Sequence, residues 1–151
     1  MIRITKEADY GIMLLGYLAT RPRGEVHAAP EIARWSGLNL PIVSKILRTL
    51  AQGDILESHR GASGGYSLKR PAHETSVAEV IRAVDGPISI VQCGAQPGAC
   101  DQEPICPTRS RWVQISQVVE RALERVLVSE MAAAHDCASR PIAGDPALAQ
   151  R

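Results

Sequence analysis

The fold is decided by residues 30–53, which read PEIARWSGLNLPIVSKILRTLAQG. Pro30 suits the start of a short helix, and Gly37 would end it. Asn39 can cap a second helix, which holds Pro41 in its first turn and continues to the end of the quoted stretch. Two helices joined by a short glycine-containing turn form a helix-turn-helix, so this motif organises the first half of the chain.

The second of these helices has an apolar side and a polar side. Ile42, Ile46 and Leu50 recur every fourth residue, and we expect them to face the core. The N-terminal part of such a helix enters the major groove of DNA, where its exposed residues meet base edges. Lys45 and Arg48 can donate to guanine or to phosphate. The candidate DNA-binding residues of this helix are Asn39, Pro41, Ser44, Lys45 and Arg48.

A glycine-rich hairpin follows the helix-turn-helix. Residues 55–58 and 66–68 read as short strands, and RGASGG at 60–65 lies between them. A basic hairpin in this position predicts the wing of a winged helix, whose tip can approach the DNA backbone or minor groove. Residues 41–70 carry five basic against two acidic side chains, which would suit phosphate. The candidate DNA-binding residues of the hairpin are Arg60, Gly61, Ser63, Gly64 and Gly65.

Two further helices complete the predicted winged helix-turn-helix domain of residues 1–87. Thr5 can cap the first, and its apolar side chains recur every three or four residues up to the turn at 21–24. The second would run over 76–85 and stop at Gly86. The sequence thus predicts a mainly α fold with a small β-wing.

A cysteine-rich loop is predicted over residues 88–107. It holds Cys93, Cys100 and Cys106 among prolines and glycines, with almost nothing to bury. Three thiolates in so short a loop can converge on one ion or cluster, and soft thiolates select zinc, Cu(I) or iron–sulfur. Zinc stays open, although its ligands usually come in closer pairs. Unreactive free thiols and disulfides are less consistent with this loop, and Cys137 reads as an ordinary thiol.

A site with three cysteines needs a fourth ligand. No histidine occurs between Cys93 and Arg111. Asp101 and Glu103 are oxygen candidates within the loop, and Asp9 is a more distant one that dimerisation could bring near.

A long helix is predicted over residues 108–134, followed by a tail at 135–151 that we expect to be disordered. Its apolar side chains repeat at alternating spacings of three and four, which is typical of a coiled-coil seam. A lone helix would expose this seam, so we expect it to mediate dimerisation. The seam consists of Trp112, Ile115, Val119, Ala122 and Val126.

Other classes of function find no support in the sequence. There is no catalytic triad, phosphate loop or pair of catalytic carboxylates, so we expect neither an enzyme nor a small-molecule substrate. No run approaches the roughly 18 apolar residues of a membrane span, and the first ten residues lack an apolar signal core. These features predict a cytoplasmic protein.

Four ordered motifs accompany the three cysteines: RITK followed by DY in 3–10, GLNLP in 37–41, RGASGGY in 60–66, and AEVI followed by GP in 78–87. Over about residues 1–133 the chain thereby resembles the IscR/NsrR/SufR-type regulators of the Rrf2 family. Details at Asp9-Tyr10, His59-Arg60-Gly61 and Cys106-Pro107 look most like the regulators of the SUF iron–sulfur assembly operon.

The resemblance implies a homodimer that binds a palindromic double-stranded operator and responds to a [2Fe–2S] or [4Fe–4S] cluster. A histidine three residues after the third cysteine is a ligand in the best-known member, but Arg109 stands there and cannot ligate. Some relatives use an acidic residue from the partner's first helix instead, and Asp9 matches that position. Two alternatives remain: a zinc or thiol-redox sensor on the same scaffold, and a protein-interaction module without DNA binding.

Overall fold

The computed structural model describes residues 4–96 and 98–135, so the predictions for Cys137 and the rest of the tail lie outside it. Within the described residues the chain is mainly helical with one small sheet, as predicted. The helices are α1 (Lys6–Ala19), α2 (Ala29–Ser36), α3 (Leu40–Gln52), α4 (Val77–Asp85), α5 (Gln92–Ala95), α6 (Arg109–Glu124) and α7 (Val128–His135). The strands are β1 (Leu56–His59) and β2 (Gly65–Leu68).

The helix-turn-helix forms as α2 and α3, and its ends follow the predicted signals. Gly37 ends α2 with φ +70°, a left-handed conformation that favours glycine. Asn39 caps α3, because its side-chain oxygen accepts a hydrogen bond from the Ile42 N–H at 3.0 Å. Local chemistry therefore fixes the turn between the two helices.

The core forms around α1, which packs against α3, α4 and α7. The core face of α3 consists of Val43, Ile46, Leu47 and Leu50, all at most 1% exposed. The prediction that Ile42 faces the core is wrong, since this side chain is 36% exposed. The buried stripe follows the spacing i, i+3, i+4, i+7, which excludes Ile42 by its position around the helix.

The wing is a two-stranded antiparallel hairpin in which Leu56 pairs with Leu68 and His59 with Gly65. The backbone of His27 forms a bridge to β2. The His27 N–H donates to the Tyr66 carbonyl at 3.0 Å, and the His27 carbonyl accepts from the Tyr66 N–H at 2.9 Å. A Cβ at Gly65 would collide with the His27 backbone, so glycine is required where the wing meets this segment.

The predicted fourth helix of the domain forms as α4, with Ser76 and Glu79 in a capping box. Glu79 also accepts from Arg70 at 2.6 Å, and Arg70 lies just beyond the wing. Burial alone would raise the pKa of Glu79, but hydrogen bonds from the Ser76 backbone and Arg70 outweigh it and lower the pKa.

The single helix predicted over 108–134 is instead two helices, α6 and α7, separated by residues 125–127. The chain turns there because its backbone pairs with the segment before α4: Val77 N–H donates to Val126 and Val128 N–H donates to Thr75, each at 2.9 Å. Val128 is then fully buried, and α7 packs on α1. A long-range pairing therefore ends a helix that the local apolar pattern would continue.

No helix in the described part of the chain is long and apolar enough to cross a membrane.

Candidate DNA interface and cysteine loop

The exposed side of α3, called the reading face below, carries the candidate DNA-binding side chains predicted from the sequence. Asn39, Pro41, Lys45 and Arg48 are exposed, and Ser44 is half-buried. The side-chain oxygen of Asn39 accepts the cap hydrogen bond, and its amide nitrogen can still donate to DNA. These side chains share the exposed side of α3, as contact with a groove requires.

An acidic residue that the sequence did not single out lies beside this face. Lys45 Nζ donates to Glu7 Oε1 of α1 at 2.7 Å. Both side chains are about half exposed or more, so the pair contributes little to stability. It does oppose the positive charge of Lys45 at the place where phosphate would bind.

The candidate residues of the hairpin fall into two groups, those exposed at its tip and those that hold its shape. Arg60, Gly61 and Ser63 are exposed and free to meet DNA. Gly64 N–H donates to the Gly61 carbonyl at 3.0 Å, and Gly65 lies against His27. These last two glycines shape the wing and keep its tip in place.

The cysteine loop is fastened to α6 through Ser116, the only residue of that helix that is buried. Ser116 Oγ accepts from the Ile90 N–H at 3.0 Å and donates to the Trp112 carbonyl at 2.9 Å. Ser89 Oγ donates to the Val91 carbonyl at 2.8 Å, which shapes the entry to Cys93 on α5. The position of α6 and the start of the loop are thus linked.

The end of the loop is closed by an ion pair. Arg109 at the start of α6 lies 2.8 Å from Glu103 Oε1, and Glu103 Oε2 accepts from the Gly98 N–H at 2.7 Å. Glu103 is 15% exposed, and both of its oxygens are engaged. Arg109 therefore organises the loop at the position where the resemblance would have placed a histidine ligand.

The three thiols are partly exposed, and none of them is in a disulfide. Cys106 Sγ lies 3.4 Å from Thr108 Oγ1, and this hydrogen bond, together with one from the Thr108 backbone, lowers the pKa of the thiol. A lower pKa favours the thiolate, which is the form that binds metal. The donor set therefore fits a soft metal or an iron–sulfur cluster. In the described residues no three His, Cys, Asp or Glu side chains are gathered to hold an ion.

Asp9 lies apart from the loop, exposed at the start of α1. It lines an apolar groove where α1 meets the end of α6 and α7, together with Ile4, Leu123 and Met131. The predicted seam is uncovered in part. Trp112 and Ile115 are 41% and 43% exposed, but Val119 is half-buried, and Val126 lies beyond the end of α6 and packs against the core. The groove beside Asp9 and the exposed side chains of α6 therefore both present apolar surface to solvent.

The helix-turn-helix of α2 and α3 and the hairpin wing define the class of fold: a winged helix, an architecture that many DNA-binding transcription regulators share. A family model described as an iron-dependent transcriptional regulator, Rrf2, matches residues 4–134. The chain therefore belongs to the Rrf2 family. Members of this family are transcription regulators and not enzymes.

Curated relatives agree with this assignment. An HTH-type transcriptional regulator of Mycobacterium tuberculosis is 35% identical over 91 residues, which are 60% of this chain and 56% of that protein. The chain thus spans little more than half the length of this relative. Protein rrf2 of Nitratidesulfovibrio vulgaris is 24% identical over 130 residues, covering 86% of this chain and 87% of the relative.

Solved structures share the fold. CymR, the global cysteine regulator of B. subtilis, aligns with a TM-score of 0.67 and 23% identity over 89% of this chain and 98% of that one. IscR of T. potens aligns with a TM-score of 0.64 and 21% identity over 97% of this chain and 96% of that one.

Proposed function

We propose that this Rrf2-family regulator is a homodimer that binds a palindromic operator under the control of an iron–sulfur cluster held by Cys93, Cys100 and Cys106. One observation carries the proposal. Three partly exposed thiols lie on a loop with no core of its own, and that loop is fastened at both ends to α6.

When bound, the cluster would draw the three cysteines of the loop together and would provide a redox-sensitive group. The residues of the chain prepare for it in two ways. Thr108 favours the thiolate of Cys106. Arg109 and Glu103 hold the segment between Cys100 and Cys106. Because metal binding can be coupled to the folding of its site, we expect the cysteines to come together as the cluster binds.

Asp9 of the partner subunit is our proposed fourth ligand. Arg109 cannot ligate, and the two oxygens of Glu103 are already engaged. Asp101 remains as an exposed alternative within the loop. Asp9 is favoured over it because it lies in an apolar groove that a second copy of the chain would cover.

Dimerisation through α6 follows from its uncovered apolar stripe. Trp112, Ile115 and Val118 are between 41% and 58% exposed in the single chain. Exposed apolar side chains repeated along one helix are typical of a helix–helix interface. Two copies would place two α3 helices and two wings on half-sites about one helical turn of DNA apart.

The cluster signal would reach DNA through packed elements. Arg82 of α4 pairs with Glu120 at 2.6 Å and with Glu124 at 3.1 Å, which joins α6 to α4. Glu79 of α4 pairs with Arg70 beside the wing. A shift of α6 on cluster binding or loss would therefore move groups that position the wing.

The targets that we propose are genes of SUF-type iron–sulfur assembly or of iron and redox stress, controlled by a cytoplasmic repressor. Support comes from the family's description as iron-dependent and from the motif details at the wing and third cysteine.

The ligand assignment is tested by anaerobic purification of Asp9→Ala beside Asp101→Ala. We expect Asp9→Ala to lose most of its iron and sulfide and to change its visible spectrum, while Asp101→Ala stays like the parent. Normal loading and an unchanged spectrum in Asp9→Ala would show that Asp9 is not a ligand. Binding of operator DNA by cluster-loaded and cluster-free protein then measures the control itself.

A second candidate is a thiol-redox or zinc sensor on the same scaffold, which the lowered pKa of Cys106 favours. Colourless, iron-free protein that binds zinc stoichiometrically, or that changes its DNA affinity on mild oxidation, would support it. The third alternative, an interaction module, predicts no operator binding. A regulator instead loses DNA affinity steeply as salt rises, in proportion to its phosphate contacts.

A further inference from the structure

An apolar side chain stands among the polar residues of the α3 reading face. Ile42 is 36% exposed, although its sequence spacing had predicted burial. It lies in the first turn of α3, between Pro41 and Val43 and one turn before Lys45. The core face of α3 is formed without it, and Ile42 is not among the side chains that pack against the core.

The position of Ile42 is well defined. Its N–H is held by the Asn39 cap at 3.0 Å, and a β-branched side chain in a helix has one strongly preferred rotamer. Lys45 follows three residues later on the same side of the helix and is the nearest cationic group along α3. Ile42 is therefore a fixed apolar group beside a group that suits phosphate or guanine.

The major groove offers one apolar group to such a side chain. Each base pair presents hydrogen-bond donors and acceptors there, and only thymine adds a C5-methyl group. An isoleucine against any other base edge would remove water from polar atoms without replacing their hydrogen bonds. Because Ile42 lies on the same side of α3 as Lys45, DNA is favoured over a protein as the partner that contacts it.

We infer that Ile42 reads the C5-methyl of a thymine in each operator half-site. This inference rests on the proposed operator binding and adds one base preference to it. It makes Ile42 a specificity-determining residue, while Lys45 and Arg48 contribute charge.

Leu40 provides a matched control. It is similarly exposed, at 41%, and lies in the same first turn. Two residues along a helix correspond to a rotation of about 200°, so Leu40 and Ile42 point to different sides. Leu40 lines a shallow depression against α2 with Pro30 and Leu38.

The experiment begins with a duplex that the dimeric protein selects from a randomised pool. Each thymine is then replaced singly by deoxyuridine, which lacks only the methyl group. Affinities are measured for the parent protein, Ile42→Ala, Ile42→Val and Leu40→Ala. Thermal unfolding of each variant confirms that the fold is intact.

We expect one thymine per half-site at which deoxyuridine weakens binding of the parent roughly four-fold, the effect of one buried methyl. Ile42→Ala should bind more weakly and lose this sensitivity, whereas Ile42→Val and Leu40→Ala should keep it. Equal sensitivity in Ile42→Ala and the parent, or no sensitive thymine, would overturn the inference while leaving operator binding intact. Failure to enrich any duplex would contradict operator binding itself, and this assignment with it.

Discussion

The winged-helix half of the chain and the segment formed by the cysteine loop and α6 differ in how much of their apolar surface they bury. In the first half, side chains of α1, α3 and α4 bury one another, and Thr5, Asn39 and Ser76 cap their helices. In the second, α6 buries only Ser116 and leaves its apolar stripe open. The first part forms a packed core, to which Val128 of α7 also contributes, whereas α6 leaves apolar side chains exposed.

This difference explains how a regulator can respond without unfolding. Segments with few buried apolar contacts open at low free-energy cost, whereas a packed core opens only with the whole domain. The loop is held by polar links at Ser116 and at the Arg109–Glu103 pair, which a new ligand can rearrange. The recognition helix and the wing can then move as preformed units.

The largest expected effect comes from truncating the core. Leu47 is fully buried, so Leu47→Ala should lower the free energy of unfolding by about 2–5 kcal/mol. Ile115→Ala, on the exposed stripe of α6, should change it by less than about 0.5 kcal/mol in the monomer but weaken dimerisation. Denaturant titration measures the free energy of unfolding of both variants, and analytical sedimentation measures their dimerisation. Equal destabilisation by both variants would contradict the comparison.

A smaller effect is expected where the wing meets His27. Gly65→Ala introduces a Cβ against the His27 backbone and should cost about 2 kcal/mol. Gly16→Ala is the matched control, because its Cβ would make ordinary contacts with Ala132 in a helix that favours alanine. Thermal unfolding should place Gly65→Ala below the parent and Gly16→Ala at or above it. A neutral Gly65→Ala would show that the wing tolerates displacement.

Acid should weaken the α4 capping box. The pKa of Glu79 is lowered from its ordinary value of 4.5, so the folded state holds this proton less tightly than the unfolded state. Its stabilising contribution is complete above about pH 4.5 and is lost as the pH falls through the lowered pKa. Unfolding measured between pH 7 and pH 3 should show a shallower decline in Glu79→Gln. If the stability of Glu79→Gln and of the parent falls identically with pH, other carboxylates cause the decline.

The smallest effect concerns the reading face. Glu7→Gln removes the anion paired with Lys45 and should tighten DNA binding by up to roughly five-fold at low salt, as expected for an exposed ion pair. Fluorescence anisotropy over a range of salt concentrations measures this change. Weaker binding of Glu7→Gln would mean that Glu7 positions Lys45 and does not compete with phosphate.

Sequence reasoning succeeded where structure is set locally. The helix-turn-helix follows from Gly37 and the Asn39 cap, and the wing follows from its glycines. It failed for Ile42, because a four-residue spacing drifts off the core face within two turns. It also missed the end of α6, since the pairing of Thr75 with Val128 joins residues far apart in the chain.

The sequence proposes members for the candidate site but does not indicate their surroundings. The assignment of the three cysteines rests on spacing and composition, and both this assignment and their convergence remain predictions. No local pattern indicates that Glu103 is engaged by Arg109 and Gly98, because these contacts depend on how the loop folds back. The same holds for Glu7 beside Lys45.

Visible absorption with iron and sulfide analysis, on protein purified without oxygen, tests the central claim most directly. The parent should be coloured and contain iron and sulfide. The variant with Cys93, Cys100 and Cys106 all changed to serine should be colourless, with the winged-helix half still folded. A colourless, iron-free parent, or a triple variant that keeps its colour, would contradict the proposal that these cysteines hold an iron–sulfur cluster.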